Sequence, residues 1–212
     1  MDNDSLAFRS MPEDAARTAV GCENVHLILE VAYLLAAMDG VILESEIVEF
    51  RNIARLLLGS RYEDADTIQF FMDIQDKSRR MLDVMKFYQD DEGKIKAFYQ
   101  CAKQSVTAIS ATPKEVIRRA FAFWIGMCMN DNDYAMIERK AVESLRQTIT
   151  ALNPSASAFL SDDFMKKIEN HIASVKQFER DVMENQGIQN EEKDERLRMM
   201  IEEFNSLVAD AS

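Results

Sequence analysis

The chain has 212 residues, a formal net charge of −12 and 47% apolar residues, with only 6 Gly and 3 Pro. So few turn-formers fit a sheet protein poorly and fit long helices joined by short loops well. The negative charge argues against binding nucleic-acid phosphates or adhering to an anionic membrane surface; it suits cations or a basic protein partner, or serves solubility alone.

Residues 1–20 show no clear period and read as an arm or a short first helix. The polar start from Met1 to Pro12 has neither a basic n-region nor an apolar h-region, so no secretory signal is visible and a cytoplasmic location is expected. From about Glu23 to Met38 apolar residues crowd every side, which predicts a central buried helix, ended by Gly40 in a left-handed cap. A second helix is expected from Glu44 to Leu58, with Ile47, Phe50, Ile53, Ala54 and Leu57 at helical spacing and Gly59-Ser60 as its stop.

Residues 62–74, 76–89 and 92–109 read as three further helices. Thr112-Pro113-Lys114-Glu115 has the pattern of a capping box with proline at the first helical position. The helix it opens is apolar on most faces and ends near Asn130. Another is expected over about 136–151, stopped by Asn153-Pro154. A long helix over 161–186 carries Phe164, Ile168, Ile172, Val175, Phe178 and Val182 in one stripe, and Gly187 breaks it. A last amphipathic helix carries Leu197, Met200, Ile201, Phe204, Leu207 and Val208. These two form a C-terminal helical hairpin, expected to pack on the main body, with docking to a partner helix as the other reading.

The longest apolar runs, Val31–Met38 and Ala120–Met129, fall short of the ~18–20 residues a membrane-spanning helix needs. The three cysteines, Cys22, Cys101 and Cys128, have neither redox nor zinc spacing. Cys22 and Cys128 sit in apolar runs and read as core residues.

Residues 31–57 and 123–149 form an internal repeat. Asp39 matches Asp131, Glu46 matches Glu138, and Gly40 matches Asn132, the two residue types that best accept a left-handed turn. Ile42 matches Tyr134, and Phe50, Ile53 and Leu57 match Val142, Leu145 and Ile149. In each copy an Asp stands at the end of a buried helix. A Glu follows in the first turn of the next helix, where the dipole favours negative charge.

The pattern of an apolar helix, Asp-Gly, an apolar residue two further on and Glu seven after the Asp, present twice, resembles the TerB-like (tellurite-resistance) family. It is similar also to the helical N-terminal domain of DjlA co-chaperones, and the likeness covers about residues 21–152. The resemblance implies an all-α fold: a single multi-helix TerB-like domain over 21–158 with an internal helix–loop–helix duplication. An N-terminal arm (1–20) precedes it and a C-terminal helical extension (159–212) follows. It also implies a non-enzymatic, stress-associated cytoplasmic protein that binds divalent cations, protein partners or both. Asp39, Glu46, Asp131 and Glu138 are then the candidate metal ligands, with Glu44 and Asp133 as helpers.

Three readings of the four acids stand side by side. They converge on calcium, magnesium or manganese, hard cations that take oxygen ligands. Or they serve as turn and cap residues in a pure protein-interaction or scaffold module. Or they pair with Arg51, Arg55, Arg139 and Arg146. Rival motifs fail. Position 12 of an EF-hand loop counted from Asp39 or Asp131 would be Phe50 or Val142 instead of Glu. A di-iron bundle needs two Glu-x-x-His elements; Glu23 precedes His26 at that spacing, but Ile168 precedes His171. Two histidines leave little room for a hydrolytic triad or a three-histidine metal site. An enzymatic role has no positive feature, and the sequence leaves homo-oligomerisation open.

Overall fold

The computed structural model describes residues 22–40, 42–129, 134–184 and 190–209. Among them every regular element is helical: α1 (Cys22–Ala36), α2 (Glu44–Leu58), a 3-10 helix (Gly59–Glu63), α3 (Ala65–Met85), α4 (Asp91–Ser110), α5 (Lys114–Cys128), α6 (Met136–Leu152), the short α7 (Ala156–Phe159), α8 (Asp162–Glu184) and α9 (Asn190–Ala209). No helix among the described residues is long and apolar enough to cross a membrane.

Helices α1 and α5 lack a polar face, so each must be covered all round. Val31 to Met38 are all buried, as is every residue from Val116 to Cys128. The two helices pack on one another. Helix α4 lies against both α1 and α6, α3 covers α1 and α4, and α8 and α9 cover α5. Trp124 pins the central crossing. Its ring is wholly buried and its indole N–H donates to the Ile28 carbonyl at 3.1 Å, the partner a buried indole requires. A small polar seam fastens the flank of α1: Glu30 Oε1 accepts from both Lys77 Nζ on α3 and Ser105 Oγ on α4, each at 2.7 Å. Phe164, Ile168 and Ile172 of α8 and Phe204 and Val208 of α9 join the same apolar core as α1 and α5. The stripes of the C-terminal pair thus pack at home.

The duplication is present in the backbone. α1 and α5 are each 15 residues long, and the starts and ends of these helices and the start of the next share one offset of 92 positions (22 to 114, 36 to 128, 44 to 136). The arrangement is reciprocal, α1 touching α6 and α5 touching α2. The likeness continues beyond the second helices. His26 on α1 lies against Phe70 of α3 (centroids 4.4 Å apart), and its counterpart Arg118 on α5 lies over the ring of Phe164 of α8 (4.4 Å).

Four local expectations are corrected. Residues 62–74 and 76–89 are not two helices. Tyr62 belongs to the 3-10 helix, and α3 runs unbroken through Gln75 to Met85. No Gly or Pro interrupts it, and its inward residues Thr67, Ile74, Ser78, Met81 and Met85 continue past the supposed break. The capping box at Thr112 does not form. The Thr112 hydroxyl donates backwards to the Ile109 carbonyl at 2.7 Å, closing α4, and Pro113 takes the cap position of α5. An orphan carbonyl at the end of one helix thus outcompetes the orphan N–H groups of the next. The turn α7 was not foreseen in the 153–161 link, where Asn153 Nδ2 also donates to the Ser110 carbonyl (3.0 Å), tying the end of α6 to the end of α4. The first helix ends at Ala36, two residues early, and a turn leads to Gly40 at φ +99°. The arm 1–20 and the break at Gly187 lie outside the described residues.

Trp124→Phe removes the indole bond and part of the central packing while leaving the helices intact. We expect a loss of about 2 kcal/mol in urea unfolding followed by circular dichroism, with native helicity unchanged.

Candidate functional site

The repeated acidic turn is the candidate, and its parts separate into two classes. Glu46 and Glu138 are 5% and 4% exposed. Each reaches back across its own first turn: Glu46 Oε2 accepts the Leu43 N–H at 2.7 Å, and Glu138 Oε2 accepts the Ala135 N–H at 3.0 Å. Leu43 and Ala135 hold extended backbone (φ −74°, ψ 154° and φ −56°, ψ 146°), as cap residues do. Neither has a side-chain acceptor, so each helix keeps only the glutamate half of a capping box. The sequence placed both glutamates in a first turn but missed this backward bond. The signal was their position, three residues after the last extended residue.

Asp39 is exposed in the turn that follows α1, and Glu44 is exposed at the start of α2. Asp131, with Asn132 and Asp133, lies outside the described residues. The structure therefore brings Glu46 and Glu138 into equivalent buried positions and leaves Asp39 at the surface. Among the described residues no group of three or more His, Cys, Asp or Glu side chains is placed to share a metal ion.

Three of the four arginines of the third reading have other engagements. Arg139 pairs with Glu169 of α8 at 3.2 Å and lies over the Tyr134 ring at 4.0 Å. Arg146 pairs with Glu143 and Asp162 and donates to the Leu160 carbonyl. Arg55 lies over Tyr62 at 5.1 Å. Burial pushes the Tyr134 hydroxyl far above its ordinary value, with Cys128 and Glu169 adding to the effect. Tyr134 and its counterpart Ile42 thus serve as partly buried packing residues of the two turns. Cys128 is buried, as expected for a core residue; Cys101 is half-buried, and burial raises the pKa of its thiol.

Both histidines are also held by the packing. His171 is 5% exposed, stacks near Phe204 at 5.7 Å, and has its Nδ1 3.3 Å from the Glu203 carboxylate. Burial lowers its pKa, and Glu203 offsets part of that. For His26, burial and then the charge of Arg61 both lower it.

No family model matches the chain, and no curated protein or solved structure does. The likeness to TerB-like proteins rests on the repeated motif alone.

The histidines set a pH dependence. In the folded protein both stay neutral to lower pH than in the unfolded chain, where imidazoles titrate near ~6.5. The unfolded state therefore binds more protons in that interval, and stability, full above ~6.5, falls as the pH drops through it toward the lowered native values. Thermal melts at pH 7.5 and 5.5 are expected to show a lower midpoint in acid. His171→Leu, which cannot take up a proton, should lose less over the same interval.

Proposed function

We propose that this chain is a non-enzymatic helical interaction module in which Glu46 and Glu138 serve as structural cap residues of its two repeated units. The observation that carries the reading is the identical use of these carboxylates. Each is buried and each is bonded to the backbone N–H that opens its own helix. A carboxylate so placed is engaged by the backbone and suits the positive end of its helix dipole. Docking is supported by apolar side chains left at the surface. Ile68 and Met72, one turn apart on α3, are 52% and 56% exposed, a spacing at which a partner helix reads anchors.

Cation binding at Asp39, Glu46, Asp131 and Glu138 in a TerB-like stress protein is the competing reading, and the same variants separate the two. Glu46→Ala or Glu138→Ala should each lose about 1–2 kcal/mol of stability. Glu46→Gln keeps an acceptor at the same place and should lose much less. Ca²⁺, Mg²⁺ and Mn²⁺ should leave the melting temperature of the wild type unchanged. A cation-dependent rise in the wild type that disappears in both Glu46→Gln and Asp39→Asn would establish the metal reading instead.

A further inference from the structure

The first copy of the repeat contains a cavity walled by aromatic rings. It has a volume of about 270 Å³ and lies between α1, α2, the 3-10 helix and α3. Tyr33, Phe50 and Ile74 are its buried lining, and Phe71 and Tyr62 its half-buried walls. The rings meet edge-on or tilted, with centroids 4.9 Å apart for Tyr33–Phe50, 5.9 Å for Phe50–Phe71 and 5.5 Å for Tyr62–Phe71. This is the geometry in which aromatic groups attract one another, and a further ring would extend it.

Two observations point to a ligand. Tyr33 lines this cavity and makes no hydrogen bond through its hydroxyl among the described residues, which leaves that group available to a bound molecule. The second is charge. Arg51 and Arg55, one turn apart on α2, stand exposed at the cavity, and neither forms an ion pair with a carboxylate among the described residues. In a chain with 37 acidic and 25 basic residues, two adjacent guanidiniums without a carboxylate are a local reversal of sign.

The duplicated backbone supplies an internal control. At the equivalent positions of the second copy, Tyr33 becomes Ile125, Phe50 becomes Val142, Arg51 becomes Glu143 and Arg55 becomes Gln147. There Glu143 is held by Arg146. The aromatic lining and the paired cations are therefore a property of this site and are not required by the helical frame.

We infer that this cavity binds a small aromatic carboxylate. Its ring lies among Tyr33, Phe50, Phe71 and Tyr62, and its carboxylate meets the guanidiniums of Arg51 and Arg55, which suit a planar anion. The volume sets the size at about one ring, below the ~300–1,000 Å³ usual for drug-sized ligands. The inference is independent of the duplicated carboxylates, which lie in other turns.

The test uses the full chain with phenylacetate as probe, phenylacetamide as its neutral counterpart and hexanoate as an aliphatic acid, read by calorimetry and ligand-observed NMR. Phenylacetate should bind, with phenylacetamide and hexanoate each at least ~10-fold weaker. Arg51→Ala/Arg55→Ala, a surface change that leaves the core intact, should weaken phenylacetate by ~10-fold or more, and Tyr33→Phe by several-fold, with both variants melting near the wild type. The inference is overturned if phenylacetate does not bind the wild type, if phenylacetamide or hexanoate binds as well, or if the double arginine variant binds unchanged.

Discussion

Two helices without a polar face, α1 and α5, can satisfy the demands of water only by leaving it, and they do so against each other. The other major helices form a shell that this pairing requires. α4 bridges α1 and α6, α3 closes α1, and α8 with α9 closes α5. The Trp124–Ile28 bond gives the pairing a fixed register, because an indole N–H buried without an acceptor costs about 1–3 kcal/mol. Hydrophobic burial supplies the drive; this one polar contact supplies the alignment.

Around that pair the chain uses one plan twice. Equal offsets at three helix ends, equal extended caps and the same backward glutamate bond show that the backbone logic is held constant. Side chains on the shared frame have diverged. Position 26 is a histidine against a phenylalanine in one copy, and position 118 an arginine over a phenylalanine in the other. Positions 51 and 55 are cationic; their counterparts are acidic and neutral. A repeated fold relieves each copy of part of the structural demand, and the two copies carry different chemistry at the same helix positions.

Much of this architecture was legible in the sequence because it depends on local patterns. The near-continuous apolar runs marked α1 and α5, and the spacing of Phe50, Ile53 and Leu57 marked α2. Gly40, found at φ +99°, marked its turn correctly. What escaped notice depends on competition or convergence. Thr112 had two helix ends within reach and closed the earlier one. Gln75 looked like an interruption only because the polar outer face of α3 hides a stripe that continues on its inner face. The role of Glu46 and Glu138 depends on their burial, which no spacing reveals. Tyr33, Phe50, Tyr62 and Phe71 come from four separate elements, and only folding assembles them. A comparison of the two copies would have flagged Arg51 and Arg55, since the loss of both cations at the equivalent sites shows that a common backbone does not need them.

Trp124 is the chain's only tryptophan, and it stands where the two copies meet. Its fluorescence therefore originates from a single seam. Separation of α1 from α5 would break the indole's bond to Ile28, expose the ring and shift its emission to the red. The molecule carries a built-in optical gauge of whether its two halves remain joined.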